Sequence, residues 1–436
     1  MDTMTLAIIL FAVTYVLLLI FSRFRAYIAL VSAALFVVFG IIPFQFGTIF
    51  FAVNWNVIMM IAGTMGIVYL FIESKMPSLL ADWIIDKMPN VKWAIVALAL
   101  FAGIVSAFVD NVATVLMVAP VAVTICKKLG ISPVNSIIAI SISSNLQGAA
   151  TLVGDTTSIL LGGYAGMNFL DFFVYKGRLG MFWVVEISAV ISAVALLFLF
   201  RKEKRSIRME EKTKVEDFFP SWLLAGTVIL LILASFLPDQ ITIGGVNFVK
   251  PETINGIICI TLLVIGLLRE VFFVRRMDIV KQVLREIDYF TLLLLAGLFV
   301  VIEGIKTAGV VDAIGGLINT AGQGNVFVVF TIIVWASVLL SAVIDNIPYV
   351  AVMLPVTASL ALKMGIDPTL MFFGLLTGAT LGGNLTPIGA SANIAGLGIL
   401  RREGYEVSVG QFMKISVPFT LVAVVCGYVL VWLIWS

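Results

Sequence analysis

The sequence predicts an all-α integral membrane protein built from two inverted repeats, and three observations support this fold class. Of 436 residues, 61% are hydrophobic and 12% are charged, whereas soluble domains contain about 45–50% apolar and about 25% charged residues. Apolar runs long enough to cross a bilayer as helices recur along the chain. A segment of the first half recurs in the second half with its polar and glycine residues in register.

Ten apolar crossings are predicted, at about residues 4–21, 26–42, 50–72, 134–165, 180–200, 221–237, 253–268, 288–303, 370–398 and 413–435. Two further apolar stretches are too long for one span and carry an Asp-Asn pair near the middle. We interpret each of them, at about 93–128 and 325–362, as a re-entrant hairpin. Residues 1–200 and 219–436 then hold five crossings and one hairpin each, joined by a cytoplasmic linker at 201–218. Because five is odd, the two halves are predicted to face opposite ways.

The basic residues give the predicted orientation. With this topology, only five of the 27 Lys and Arg residues fall on one face: Lys176, Arg178, Lys250, Lys306 and Lys363. The opposite face holds all the others and is therefore predicted to be cytoplasmic. We expect a multi-pass protein of the cell (inner) membrane with both termini outside the cytoplasm.

Residues 106–159 align without a gap to 341–394, with 16 identities in 54 positions. The identical pairs include polar and glycine residues: Asp110/Asp345, Asn111/Asn346, Gly148/Gly383, Thr151/Thr386 and Gly154/Gly389. Inverted repeats with polar interruptions at matching positions are typical of secondary transporters.

Four polar interruptions lie at predicted membrane depth: the two hairpin tips and a break inside each of the spans 134–165 and 370–398. Unwound backbone at this depth must be buried by protein or line a watery cavity, so we expect all four to converge on one cavity. The N-termini of the restarting half-helices would suit an anion. The candidate substrate-binding residues are Asn145, Gly148, Thr151, Gly154, Thr156, Gly383, Asn384, Thr386, Gly389, Ser391 and Asn393.

The candidate cation-coupling residues are Asp110, Asn111, Asp345, Asn346 and Asp155. The tips place Asp110 and Asp345 in apolar surroundings, with no basic residue nearby in the sequence. Such a carboxylate is expected to bind Na⁺ or take up a proton, because loss of water disfavours an unpaired charge. Side-chain and carbonyl oxygens are the ligands that suit Na⁺. The alternative is that each Asp only caps the helix that follows it.

Several classes of function are excluded by the residue content. The chain has no histidine, which excludes histidine-based catalysis, zinc sites and pH switches. The three cysteines, Cys126, Cys259 and Cys426, are far apart and are interpreted as core residues. No GxSxG, HExxH or Walker A pattern is present, so we expect neither an enzyme nor an ATP-driven pump. We expect no cofactor other than Na⁺ or H⁺ as a coupling ion, and no nucleic-acid partner.

The hairpins and breaks resemble those of the ion transporter superfamily. The matching segments are SAFVDNVATVLMVAP, SAVIDNIPYVAVMLP, SSNLQGAATLVGD and LGGNLTPIGASAN. This group includes arsenite permeases, NhaD-type sodium/proton antiporters, citrate and dicarboxylate:sodium symporters and the melanosomal P protein. The sequence looks most like the P-protein-like branch of the arsenite permease/NhaD group.

The resemblance implies a homodimer in which a scaffold domain holds the dimer contact. The two hairpins and two broken helices would form a transport domain that slides as an elevator. In the dicarboxylate symporters the hairpin tips read Ser-Asn-Thr and bind Na⁺. The matching positions here are Asp110-Asn111-Val112 and Asp345-Asn346-Ile347, so Asp replaces Ser at both tips.

Two functions fit these observations. The first is a secondary active transporter that couples Na⁺ or H⁺ movement to a small anion, either a carboxylate or a metalloid oxyanion such as arsenite. The alternative is a Na⁺/H⁺ antiporter with no anion substrate, which the acidic tips favour. A channel is disfavoured, because inverted repeats with four breaks are typical of transporters.

Overall fold

The computed structural model describes residues 2–201, 205, 213–238, 240–243 and 246–436, and helices dominate it. The first half contains α1 (Thr3–Ile20), α2 (Arg25–Val38), α3 (Phe46–Ala52), α4 (Trp55–Glu73), α5 (Met76–Asp86), α6 (Val91–Ser106), α7 (Asn111–Lys128), α8 (Val134–Gly148), α9 (Thr156–Ala165) and α10 (Met181–Leu199). The second half contains α11 (Phe219–Ser235), α12 (Ile254–Arg269), α13 (Met277–Glu286), α14 (Tyr289–Thr307), α15 (Val310–Ala321), α16 (Val326–Ser341), α17 (Asn346–Met364), α18 (Thr369–Leu376), α19 (Ser391–Arg402) and α20 (Val409–Trp435).

Short elements complete the fold. Strands β1 (Val174–Tyr175) and β2 (Arg178–Leu179) form one antiparallel pair, and β3 (Gln240–Ile243) and β4 (Val246–Val249) form another. Single turns of 3₁₀-helix lie at Ser22–Phe24, Leu170–Phe172 and Gly383–Leu385, and π-helical turns lie at Glu270–Val274 and Thr377–Leu381.

Within the described residues, eight helices are long and apolar enough to cross a membrane. Both α7 and α17 are among them, so length alone does not distinguish a hairpin arm from a full crossing. The re-entrant placement of the two hairpins stays a prediction. The multi-pass character of the chain agrees with the sequence.

The helices of the two halves follow the same order and pack reciprocally. Helix α2 lies along α14, and α12 lies along α4. A Cβ on Gly297 of α14 would lie 2.7 Å from the carbonyl carbon of Ala29 in α2. A Cβ on Gly63 of α4 would lie 2.6 Å from the carbonyl carbon of Cys259 in α12. Glycine therefore allows close backbone approach at matching places in both helix pairs.

Helices end and restart at the predicted positions of the hairpin tips and the breaks. Helices α6 and α7 are joined by residues 107–110, and α16 and α17 by residues 342–345. The first break separates α8 from α9. In the second half, α18 continues as the π-helical turn before the chain unwinds and restarts as α19.

The crossing predicted at about 50–72 differs from the structure, because α3 ends at Ala52 and α4 begins at Trp55. Asn54 separates the two helices. Its side-chain oxygen accepts a hydrogen bond from the Val57 N–H at 3.1 Å, which caps α4. The apolar run continues through this cap, so hydropathy alone gives no sign of the break. Much of the predicted linker at 201–218 lies outside the described residues.

Candidate functional site

One cavity of about 330 Å³ brings together both hairpin tips and the starts of α9 and α19. The expected convergence of the four interruptions is therefore present in the structure. The candidate residues that line the cavity are Asp110, Asn111, Asn145, Asp155, Thr156, Asp345, Asn346 and Ser391.

Each hairpin tip uses its aspartate as a helix cap. One oxygen of Asp110 accepts hydrogen bonds from the Val112 and Ala113 N–H groups, at 3.0 and 3.1 Å. The equivalent oxygen of Asp345 accepts from the Ile347 N–H at 3.0 Å. Capping satisfies backbone donors at the starts of α7 and α17. The second oxygen of each carboxylate is not needed for the cap.

The expectation that both tip carboxylates lie apart from basic residues is wrong for Asp345. Arg25, the first residue of α2, donates Nη1–H to Oδ2 of Asp345 and forms an ion pair with it. The side chains of Arg25 and Asp345 are 27% and 25% exposed, respectively. The two residues are 320 positions apart, so only the fold brings them together. In the part of the chain that the structure describes, Asp110 has no ion-pair partner.

A buried hydrogen-bond network joins the first tip to the first break. The Asn111 amide donates to Asn145 Oδ1 at 3.1 Å and to Asp155 Oδ1 at 3.3 Å. Asp155 also caps α9 by accepting from the Thr156 N–H at 2.9 Å, and it accepts from the Thr157 hydroxyl at 2.6 Å. The first hairpin, α8 and α9 are therefore held together by polar contacts.

The two broken helices also contact each other directly. The Asn145 amide donates to the Thr380 carbonyl oxygen at 2.9 Å, and the Asn384 amide donates to the Ile142 carbonyl oxygen at 2.8 Å. The hydroxyl oxygens of Thr157 and Thr380 lie 3.0 Å apart. Because Asn145 and Thr380 occupy matching repeat positions, the contact lies where the two halves meet.

Other predicted substrate-binding residues do not line this cavity: Gly148, Thr151, Gly154, Gly383, Asn384, Thr386, Gly389 and Asn393. The hydroxyl of Thr151 donates to the Ala107 carbonyl oxygen, and that of Thr386 donates to the Ala342 carbonyl oxygen. These are matching positions in the two repeats. The two threonines hold each break against the turn of its own hairpin.

Two of these glycines are required for close packing. A Cβ on Gly154 would lie 2.5 Å from the Gly148 carbonyl oxygen, and one on Gly389 would lie 2.4 Å from the Gly383 carbonyl oxygen. Both distances are too short for a side chain, so only glycine fits without a backbone shift. The matching contacts explain why the repeat keeps glycine at these positions.

Several further residues that line the cavity carry no sequence signal of a site: Arg25, Tyr69, Glu286, Asp288 and Thr291. The last three belong to the end of α13 and the start of α14, where Asp288 accepts from the Thr291 N–H at 3.0 Å as an N-cap. The Asp-x-x-Thr spacing could have indicated this cap, but not its place beside the tips. Among the lining residues, five carboxylates accompany the Arg25 guanidinium: Asp110, Asp155, Glu286, Asp288 and Asp345.

Two side-chain oxygens in the second broken helix have no hydrogen-bond partner among the described residues. They are Oδ1 of Asn384 and Oδ1 of Asn393, and both side chains are fully buried. Amide oxygens of this kind are suitable ligands for a hard cation such as Na⁺. The described part of the chain holds no group of three or more His, Cys, Asp or Glu that could bind a metal ion.

Comparison with known families decides the class of protein. The model of the family described as "Citrate transporter" matches residues 15–378. The chain belongs to the citrate transporter family. A Mycobacterium tuberculosis protein described as an uncharacterized transporter is 30% identical to it over 438 residues, which cover 98% of this chain and 97% of that protein.

The predicted resemblance to the ion transporter superfamily is confirmed. The human P protein is 28% identical to this citrate transporter family member over 403 residues, which cover 77% of this chain and 48% of the P protein. The structure of the YdaH transporter from Alcanivorax borkumensis has a TM-score of 0.56 at 15% identity, covering 86% of this chain and 84% of that one. That likeness shows a shared membrane transporter fold. The protein is therefore a multi-pass membrane transporter.

Proposed function

We propose that this protein is a secondary active transporter that couples Na⁺ or H⁺ movement to transport of a small anion, either a carboxylate or a metalloid oxyanion such as arsenite. The observation that carries the proposal is the cavity in which the Arg25 guanidinium and the starts of two half-helices lie beside five carboxylates. Membership of the citrate transporter family favours a carboxylate as the anion.

The groups that would bind the anion are positively charged or carry free N–H donors. Arg25 supplies a guanidinium, which suits carboxylate and oxyanion geometry. Thr156 and Ser391, the first residues of α9 and α19, also line the cavity. The N-terminus of a helix carries partial positive charge and unpaired N–H groups. The Thr156 N–H already donates to Asp155, so at α9 the hydroxyl of Thr156 and the helix dipole would attract the anion, whereas α19 has no side-chain cap among the described residues. Thr156 and Ser391 would therefore contact the substrate together with Arg25.

The groups that would bind the coupling ion are carboxylates and amide oxygens. Five carboxylates outnumber the one guanidinium among the lining residues. An anion entering this cavity without a cation or proton would be repelled, because charges at short range interact strongly where water is scarce. This excess of negative charge supports coupling to a cation.

The proposal includes an elevator mechanism with inverted repeats at 1–200 and 219–436, and a homodimer held by the scaffold. The matching helix order and the reciprocal packing support it. A second cavity, of about 1040 Å³, is lined by segments that match those around the first. Val68 and Leu116 line the first cavity, and their repeat counterparts Ile302 and Ala351 line the second.

The two cavities differ in whether the hairpin tips line them. The first contains both hairpin tips, whereas neither tip aspartate lines the second. By the charge bias, the end of α13 near the first cavity is cytoplasmic, and Lys306 beside the second is on the other face. We therefore propose that the structure corresponds to a state open to the cytoplasm, with the substrate site at the predicted membrane midplane.

The second candidate is a Na⁺/H⁺ antiporter without an anion substrate. The surplus of carboxylates favours it. Arg25 in the same cavity and the citrate transporter family model favour the anion transporter.

Counterflow in proteoliposomes tests the proposal. Vesicles loaded with citrate, succinate, phosphate or arsenite are diluted into a trace of the same labelled compound, with and without Na⁺ or a pH gradient. We expect the protein to exchange at least one anion and the exchange to depend on the cation. Dissipation of a Na⁺ or pH gradient with no anion exchange would instead establish the antiporter.

A further inference from the structure

We propose that Arg25 links substrate binding to cation binding. In the empty protein its guanidinium neutralises Asp345. An anionic substrate takes the guanidinium from Asp345, and the released carboxylate then binds Na⁺ or a proton. The assignment rests on the proposed function and deepens it by naming the residue that recognises the anion.

The position of Arg25 allows this exchange. The residue lines the same cavity as Asp345, Thr156 and Ser391. A guanidinium carries five N–H donors, and within the described residues one of them, on Nη1, hydrogen-bonds to Asp345. The remaining donors are available to a substrate that enters the cavity. These donors give an anion at the starts of α9 and α19 its first contact, and the anion then competes with Asp345 for the single positive charge of the guanidinium.

Arg25 and Asp345 belong to different parts of the proposed elevator. Arg25 begins α2, whose backbone is packed closely against α14 at Gly297. Asp345 lies at the tip of the second hairpin. A second contact joins the N-terminal helices to the second hairpin: the hydroxyl of Tyr15 in α1 donates to the Pro348 carbonyl oxygen in the first turn of α17 at 2.7 Å. The N-terminal helices therefore hold the tip of the second hairpin through two polar contacts.

Among the described residues, the first hairpin has no equivalent of this ion pair. In α12, the helix that matches α2, the residue that corresponds to Arg25 is the uncharged Asn255, because Cys259 packs against Gly63 as Ala29 packs against Gly297. Asp110 has no ion pair within the described chain. Both aspartates cap a helix in the same way. Two tips that look alike in the sequence thus differ in charge, and Asp110 provides a matched control for Asp345.

The surrounding charges make the exchange a coupling device. Four other carboxylates line the cavity. Asp110, Asp155 and Asp288 precede the first residues of α7, α9 and α14, and Glu286 is the last residue of α13. Tyr69 lines it from α4. Release of Asp345 into this acidic setting is unfavourable unless a cation or proton accompanies it. By linkage, the cation then strengthens anion binding by the same factor as the anion strengthens cation binding.

Isothermal titration of citrate into the purified full-length protein tests the role of Arg25, with succinate, phosphate and arsenite titrated in parallel. We expect Arg25→Gln to weaken binding roughly ten- to hundredfold, since a charge-assisted hydrogen bond to the anion is lost. Arg25→Lys should retain part of the affinity because it keeps the charge but not the planar fork. The double variant Arg25→Gln, Asp345→Asn removes the unpaired carboxylate and controls for loss of folding.

A double-mutant cycle separates exchange from simple attraction. With Arg25 present and Na⁺ absent, Asp345→Asn should tighten citrate binding, because the competitor for the guanidinium is gone. It should also remove the effect of Na⁺ or pH on citrate affinity. In the Arg25→Gln background, the same change should tighten citrate binding less, because it relieves only the repulsion between the carboxylate and the anion. Asp110→Asn should change citrate affinity by the same factor in both backgrounds.

Three results would overturn the assignment. Equal effects of Asp345→Asn with and without Arg25, or wild-type citrate affinity in Arg25→Gln, would show that Arg25 does not exchange partners, and the proposed function would stand. A wild-type protein that binds none of the four anions would overturn the proposed function, and the assignment with it.

Discussion

The tip aspartates show how a carboxylate that caps a helix keeps one oxygen for the proposed coupling. The cap of α7 or α17 uses one carboxylate oxygen. The second oxygen of Asp345 pairs with Arg25, and that of Asp110 has no ion-pair partner among the described residues. Capping and cation binding, which the sequence presents as alternatives, are therefore compatible at the same residue.

Changing either tip aspartate to asparagine tests this double role. Asn is also a good N-cap, so we expect Asp110→Asn and Asp345→Asn to fold. Each should lose the stimulation of citrate uptake by a Na⁺ or pH gradient while keeping counterflow. The measurement is the ratio of gradient-driven uptake to counterflow in proteoliposomes. If both variants keep the full wild-type ratio, the aspartates act as caps alone.

Gly154 and Gly389 should be essential for packing. Alanine at either position would place a Cβ within 2.5 Å of a carbonyl oxygen, and overpacking of this kind costs about 1–3 kcal/mol. We expect Gly154→Ala and Gly389→Ala to unfold at lower temperature in detergent. Gly398→Ala in α19 is the matched control, because nothing lies within 4 Å of its Cβ position. Equal melting temperatures for all three variants would contradict the packing role.

At the scale of elements, the broken helices are held to each other by side-chain amides. Asn145 donates to the Thr380 carbonyl oxygen in the π-helical turn before the second break, and Asn384 of the second break donates to the Ile142 carbonyl oxygen inside α8. Both asparagines are fully buried, so each contact satisfies a side-chain donor that water does not reach. The breaks therefore support each other as well as the cavity.

Loss of either amide should destabilise the protein. Asn145→Ala and Asn384→Ala each remove a buried hydrogen bond and should cost about 1–3 kcal/mol. Asn255→Ala is the control, because that side chain is half-buried and has no hydrogen bond among the described residues. The midpoint of thermal unfolding in detergent measures the difference. If the two variants unfold at the same temperature as the control, the amide contacts contribute no stability.

The sequence predicted the elements better than the contacts. Matching Asp-Asn, Thr and Gly positions predicted the hairpins and breaks, because these residues interrupt long apolar runs. The pairing of Arg25 with Asp345 could not be predicted, since Arg25 was informative only as a charge beside a span. Asn54 was missed because the cap lies inside an apolar run. Apolar runs and the internal repeat reveal where helices are interrupted. Pairs of residues that are distant in the sequence are revealed only by the three-dimensional structure.

At the scale of the whole molecule, the two cavities suggest how access could alternate. They are lined by repeat-related segments, and only the smaller one contains the tip aspartates. Inverted repeats would allow the two halves to exchange conformations and open the site to the opposite face. Substrate would then pass across the membrane while the site itself stays formed.

Cysteine labelling tests the predicted orientation. In a Cys426→Ser background, Lys281→Cys in α13 should react with a membrane-impermeant maleimide only from the cytoplasmic side. Lys306→Cys, at the end of α14, should react only from the outside. Both lysines are exposed in the structure. Labelling of both cysteines from the same side would contradict the topology.

We propose that the anion and the coupling cation cross the membrane together. The most direct measurement is cation influx driven by the anion: citrate, or another anion that exchanges, is added outside proteoliposomes without a cation gradient, and internal pH and ²²Na⁺ are followed. We predict that addition of the anion drives H⁺ or Na⁺ inward, and that Asp345→Asn abolishes this influx. Anion entry with no accompanying cation would contradict the account.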